Sequence, residues 1–211
     1  MATQARPYTH YVYEGAKSNH SHGYLAPAIR ASLRDLPRGS KILDLGCGNG
    51  SLTASWPRPG DEVTGVDLSE SGIEAAQRAY RSIQFVMGDV TADLKVLGSR
   101  QPFDAVVSAE VIEHVYAPRA LVANAFRLLR PGGRFIVTTP YHGYWKNVVL
   151  AVTGQMDAHF TVLWDGGHIK FWSRRTLSHV VREAGFDDIS FDGAGRIPYL
   201  WKSMVLRATR P

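Results

Sequence analysis

Two short strings in this chain carry residues that could do chemistry. The first is Leu43-Asp44-Leu45-Gly46-Cys47-Gly48-Asn49-Gly50, followed about twenty residues later by Asp67. Glycine takes backbone angles closed to other residues and lets a ligand approach the main chain. Asp67 ends the apolar run Val63-Thr64-Gly65-Val66, where a carboxylate can grip the two hydroxyls of a ribose at the carboxyl edge of a parallel sheet. The pair therefore points to a nucleoside-containing cofactor. The order G-C-G-N-G is not the dinucleotide spacing G-x-G-x-x-G, and Asp44 precedes the first glycine. A carboxylate aimed into that loop repels a pyrophosphate and attracts a cationic amino-acid tail.

The second string is Glu110-Val111-Ile112-Glu113-His114-Val115. On a helical turn Glu110, Glu113 and His114 stand at i, i+3 and i+4 and project from one face. Two carboxylates and an imidazole so placed could hold a divalent cation and bring a bound hydroxyl's pKa toward neutrality. Without metal, His114 could act as a general base, its ordinary pKa being near ~6.5.

The elements that must position these strings follow from pattern. Lys41 to Leu45, Val63 to Val66, Ile83 to Met87, Phe103 to Ser108 and Arg134 to Thr139 read as strands. A helix is expected over Pro118 to Leu129, stopped by Arg130-Pro131-Gly132-Gly133. Ser173 is a plausible N-cap for a helix over Arg174 to Glu183, with Gly185 at its C-cap. Phe186 to Phe191 and Tyr199 to Ala208 complete the set as two late strands. Strands alternating with helices argue for an α/β fold with a mainly parallel sheet. A length of 211 residues suits one domain with a full core. Residues 1–38 are expected to form an N-terminal cap, with Tyr8, Tyr11, Tyr13, His20 and His22 ahead of an amphipathic run from Leu25 to Leu36.

Composition narrows the setting. No apolar span is long enough to cross a membrane, and Met1 to Pro7 lacks a signal-peptide core. The single cysteine, Cys47, fits a reducing cytoplasm and reads as a small packing residue. The net charge of +5 arises mostly after residue 165, on scattered arginines and lysines with no dense block. That disfavours a nucleic-acid groove and leaves a basic face toward an anionic substrate or a membrane surface open.

The string with Asp44, Gly46, Gly48 and Gly50 resembles motif I of the class I S-adenosylmethionine (SAM)-dependent methyltransferases, D-x-G-x-G-x-G. Gly88-Asp89-Val90 after the third strand and L-R-P-G-G-R-F before the fifth are similar to further segments of that family. The resemblance implies a Rossmann-like, seven-stranded, mainly parallel sheet in the order 3-2-1-4-5-7-6, with helices on both faces and an antiparallel edge hairpin. It also implies SAM as cofactor. Asp67 and Leu68 would lie at the ribose, Asp44, Gly46 and Gly48 at the methionyl end, Asp89 and Val90 at the adenine rim, and Ala109 and Glu110 beside the cofactor.

The E-V-I-E-H string resembles the ubiquinone-biosynthesis O-methyltransferases, and it is shared with small-RNA 2′-O-methyltransferases. Gly167-His168-Ile169-Lys170-Phe171-Trp172-Ser173 is similar to the segment by which the latter add a histidine. By position, the resemblance implies Glu110, Glu113, His114 and His168 as ligands of Mg²⁺ or Mn²⁺, and His114 and His168 as catalytic groups.

The acceptor side is read from residues 140–168, expected to be a lid insertion. Tyr141, His142, Tyr144, Trp145, Lys146 and His159 interleave aromatic and polar groups there, as suits a flat or amphipathic substrate. Val148 to Val152 could be a short core helix or touch a membrane surface. Gly193 to Tyr199 could line the substrate mouth, with Arg196 as an anion contact or a plain surface arginine. The expected activity is methyl transfer from SAM to a small-molecule acceptor, with a hydroxyl preferred. An RNA ribose, a saccharide or lipid-linked acceptor, and a non-catalytic SAM-binding role are the rivals.

Overall fold

Alternate residues of the central strands feed two cores, one on each face of a sheet. The computed structural model describes residues 12–160, 163–164 and 166–211. In β1 (Lys41–Leu45), Leu43 and Leu45 pack on one face and Ile42 on the other. In β4 (Phe103–Ala109), Val106 faces the first core, while Ala105 and Val107 face the second. A strand buried on both sides reads as a largely apolar run, broken in these two by Asp44 and by Asp104 and Ser108.

The other strands are β2 (Glu62–Asp67), β3 (Gln84–Met87), β5 (Leu129–Pro140), β6 (Asp187–Ala194) and β7 (Ser203–Thr209). All seven join one sheet in the order β3-β2-β1-β4-β5-β7-β6. Neighbours from β3 to β5 run parallel, and β7 is antiparallel to both β5 and β6. The first face is covered by α3 (Pro118–Leu128) and α6 (Arg174–Glu183), through Leu121, Val122, Leu177 and Val181. The second is covered by α1 (His22–Leu33), through Leu25, Ile29 and Leu33. α2 (Glu70–Ala79) adds Ile73 and Ala76 against Cys47 and Phe85. Gly65 in β2 is required there, because a Cβ would lie 2.6 Å from Phe85 and 2.8 Å from Cys47 Sγ.

Several boundaries differ from expectation for local reasons. α1 begins at His22, not Leu25, and ends at Leu33, not Leu36, with Pro37 close behind. β5 begins at Leu129, directly where α3 stops, because Gly132 N–H donates to Arg210 O and Arg210 N–H to Gly133 O. β7 begins only at Ser203, since Tyr199 has φ +67° and Leu200 N–H closes a turn on Ile197 O. Ser173 does cap α6: its hydroxyl accepts from Thr176 N–H, and Thr176 reciprocates on Ser173 N–H.

Residues 140–168 contain α4 (Tyr144–Val152) and α5 (Met156–Phe160). Val148 to Val152 therefore belongs to a helix, but not to a core one. Lys146 is the only buried residue of α4, and Val149 and Val152 are exposed. Among the described residues no element buries Val149 or Val152, so of the two expectations the core helix is not what forms.

Candidate cofactor and acceptor site

The carboxyl ends of β1 and β2 shape the first half of the site. Gly46 and Cys47 N–H both donate to Val66 O, at 2.8 and 3.0 Å, which folds the glycine loop over the end of β2. Gly46, Gly48 and Gly50 have φ of +90°, +53° and +73°, the left-handed region that favours glycine. Asp67 is fixed by Gly48 N–H at 2.7 Å on one oxygen and Ser69 N–H at 2.8 Å on the other. Each oxygen keeps lone-pair capacity toward the groove.

Asp44 lies beneath the loop, 2 % exposed. Its Oδ2 accepts from Thr53 Oγ1 at 2.7 Å, while Oδ1 has no partner. Burial raises its carboxyl to about 7, against the pull of the Thr53 hydrogen bond. A buried carboxylate oxygen without a donor suits the ammonium of an amino-acid tail, so these residues fit SAM. Leu68 is exposed beside Asp67, and Asp89 Oδ1 accepts from Thr91 N–H and Oγ1, each at 2.7 Å. Val90 is buried in the first core, so what it offers a ligand is its main chain.

Tyr13 and Asn49 were not picked out as site residues. Tyr13 crosses the glycine loop: a Cβ on Gly48 would meet its hydroxyl at 2.4 Å, and one on Gly72 its ring at 2.9 Å. Asn49 Nδ2 donates to Gly15 O at 2.7 Å and Lys17 O at 3.1 Å. The N-terminal segment is thus tied to the loop it was expected to cap, and an asparagine inside a glycine loop was the available signal. Tyr8 and Tyr11 lie outside the described residues.

The second half begins where β4 ends. Ala109 closes β4, and Glu110 has φ +57°, which a helical turn does not tolerate. The expected helical face through Glu110, Glu113 and His114 is therefore corrected: residues after Glu110 form a turn, with His114 N–H on Val111 O. Glu110 points elsewhere, its oxygens accepting from Thr138 Oγ1 at 2.9 Å and Ser203 Oγ at 3.1 Å. Burial pushes its carboxyl up to about 7, with those two bonds opposing. Val111 leans on the cofactor loop, where a Cβ on Gly46 would come within 2.3 Å of it.

Glu113, His114 and His168 do converge, with ligand atoms all within 4.8 Å of one another. Glu110 is not in that group. Glu113 is 1 % exposed. Its Oε2 accepts from Thr139 Oγ1 at 2.9 Å, and Oε1 has no partner. Burial, with Glu110 nearby, holds its carboxyl well above the ordinary range. His114 Nδ1 faces the carbonyls of Gly166 at 3.1 Å and Gly167 at 3.3 Å. Carbonyls only accept, so Nδ1 carries the proton and Nε2 presents a lone pair. The His168 ring stands 4.8 Å from that of His114, and burial lowers its pKa to about 4. Ile169 and Lys170 N–H both donate to Glu113 O, which docks the later segment on the turn.

The expected substrate residues separate. Tyr141 belongs to the first core, packed against Phe191 and Trp201. Tyr144 and Trp145 are exposed to solvent. His142 and His159 meet at 5.4 Å between ring centroids, with Phe160 stacked on His142. Two surface depressions lie away from this group, one lined by Arg78, Arg81 and Arg100 and one by Asp35, Arg134 and Arg207.

Comparison with known proteins places this geometry. A family model described as "Methyltransferase domain" matches residues 18–190. The ubiquinone biosynthesis O-methyltransferase of Idiomarina loihiensis is 32 % identical over 162 residues, 74 % of this chain and 65 % of that protein. Its namesake from Rhodopseudomonas palustris is 33 % identical over 126 residues, 60 % of this chain and 48 % of that one. The matches thus span about half to two thirds of these relatives' length. Magnesium protoporphyrin IX methyltransferase from Synechocystis PCC 6803, solved with bound SAH, superposes with a TM-score of 0.66 at 22 % identity, covering 89 % of this chain and 82 % of that one. No helix among the described residues is long and apolar enough to cross a membrane.

Proposed function

The chain belongs to the methyltransferase-domain family and is a SAM-dependent methyltransferase; from that premise we propose that it methylates a hydroxyl oxygen of a small-molecule acceptor. The carrying observation is the His114 ring, whose protonated Nδ1 on two carbonyls leaves Nε2 as a fixed base on the turn whose Val111 meets the glycine loop. A neutral hydroxyl is a poor nucleophile, so oxygen transfer needs that base. SAM supplies an electrophilic methyl on a sulfonium, and its transfer leaves S-adenosylhomocysteine.

The chain's own residues hold, orient and deprotonate. Asp67 takes the ribose hydroxyls, with Leu68 against the nucleoside, and Asp89 and the Val90 main chain take the adenine rim. Asp44, Gly46 and Gly48 take the methionyl end, flanked by Ala109 and Glu110. His114 removes the acceptor proton, with His168 beside it; burial keeps both imidazoles neutral, and the lower pKa of His168, about 4, leaves it the weaker base. His142 and His159 line the acceptor side, with Tyr141 behind them and Tyr144 and Trp145 at its rim.

Glu113, His114 and His168 also fit a divalent cation, because Glu113 Oε1 is buried without a partner beside two imidazoles. Bound there, the ion would act as a Lewis acid on the acceptor hydroxyl. A donor set of two imidazoles and one carboxylate suits Mn²⁺ better than Mg²⁺. The exposed Trp145, Val149 and Val152 on α4 favour an acceptor with an apolar portion.

The test is mass spectrometry of catechol incubated with SAM, where a product one methylene heavier is expected. His114→Ala should lower turnover by roughly a hundred- to ten-thousandfold while SAM affinity holds. Full turnover in that variant would remove the base from the reading. A Mn²⁺ titration that saturates in the wild type and fails in His168→Ala would assign the cation.

A further inference from the structure

Lys146 is the anomaly of the acceptor side. It is 6 % exposed, yet among the described residues it takes part in no ion pair. Burying an ammonium without a counter-charge is costly, and such groups in proteins are paired or bind something. Its position makes matters worse. Lys146 is in the first turn of α4, which carries no acidic residue and no side-chain cap on Gly143. A cation at a helix N-terminus opposes the macrodipole, whereas an anion is welcome there.

The neighbours repeat the pattern. Burial and the positive field of Arg196 together lower the Lys146 pKa to about 8. Glu110 attracts it from beyond ion-pair distance, with its two oxygens turned toward the Thr138 and Ser203 hydroxyls. His142, 8 % exposed, keeps Nε2 buried without a partner one turn before Lys146. Two buried side chains, Lys146 and His142 with its unpartnered nitrogen, thus flank an uncapped helix start within the positive field of Arg196.

We propose that Lys146, Arg196 and His142, at the N-terminus of α4, form an oxyanion subsite, so that the methyl acceptor carries a carboxylate or phosphate besides its hydroxyl. The inference rests on the acceptor-site reading above and narrows its substrate class. Lys146 supplies the buried charge, Arg196 adds its positive field from the exposed β6–β7 connection, and His142 offers a ring nitrogen. None of the three touches the transferring methyl; they fix which acceptor is held.

The experiment is calorimetric titration of the full chain, in the presence of S-adenosylhomocysteine, with 3,4-dihydroxybenzoate and with catechol. The wild type should bind the benzoate roughly ten- to a hundredfold more tightly, the range of a charge-assisted hydrogen bond. Lys146→Met and Arg196→Gln should erase that preference, and Lys146→Arg should keep most of it. Competition by benzoate against phenyl phosphate then tells which oxyanion the subsite takes. Equal affinity for the two catechols, no saturable binding of either oxyanion, or a Lys146→Met effect equal on both ligands would overturn the proposal. The two readings fail separately. Lys146-dependent binding of a benzoate that is never methylated keeps the subsite and sinks hydroxyl transfer; methylation without preference does the reverse.

Discussion

The two halves of the site are built on opposite plans. On the cofactor side, main-chain groups do the holding: Gly46 and Cys47 bind Val66 O, and Gly48 and Ser69 fix Asp67. Asp67 arrives there with its side chain already oriented, and the distant Tyr13 and Lys17 segment only closes over the loop. On the acceptor side, Lys146 of α4 stands with Glu113, His142, His168 and Arg196 from four separate connections, and Glu113 Oε1 and His142 Nε2 keep no partner, as does Asp44 Oδ1 on the cofactor side. A preorganised half binds the part of the reaction that never varies, and a loosely satisfied half waits for the acceptor.

That contrast can be broken at the cofactor side first. Asp67→Ala removes both the ribose grip and the anchor of Gly48 N–H, and should weaken SAM binding by about a hundredfold or more in a calorimetric titration, the worth of two charged hydrogen bonds. A loss under threefold would mean that the carboxylate does not hold the cofactor. Gly65→Ala should cost roughly 1–3 kcal/mol in denaturant unfolding, because its methyl overlaps Phe85 and Cys47. No loss would show that the loop and α2 can shift as the comparison says they cannot.

A finer probe is pH. Asp44 is raised to about 7 by burial, so below that value the free protein holds it protonated. An ammonium selects the ionised form, so binding expels the proton and SAM affinity should rise with pH up to about 7 and fall again above ~8, where the tail's own α-amino group deprotonates. The rise between pH 5 and 6 should be about tenfold. Asp44→Asn should flatten it, and an unchanged slope would assign the titration elsewhere. Smallest of all, Trp145→Ala on the exposed face of α4 should alter stability by under ~0.5 kcal/mol. A larger loss would mean that the acceptor side is packed more firmly than it looks.

The same division governs how much could be read from the chain alone. The glycine loop, Asp67 and the Ser173 cap are local: their residues lie within a few positions of one another or at the end of a predictable strand. The sheet order followed from resemblance and the structure has it. Glu110 was misplaced because helical spacing was assumed where the backbone turns left-handed. Tyr141 was expected in the pocket because aromatic residues look alike whether they line a cavity or fill a core. His168 reaches His114 across 54 positions of chain (168 minus 114), and spacing alone carries no such distance. Lys146 was noted as a polar member of the lid; only its burial without a counter-ion makes it informative.

The leaning of Val111 on Gly46 has a consequence for how the two halves stay in step. With 2.3 Å between a hypothetical Cβ and the valine, no atom can be inserted between the donor loop and the turn that bears the base. The gap is gauged by an absent side chain, so Gly46→Ala would have to push the turn and the loop apart. On the function proposed above, that one methyl would lengthen the path between the base and the methyl donor while leaving every acceptor-side residue in place.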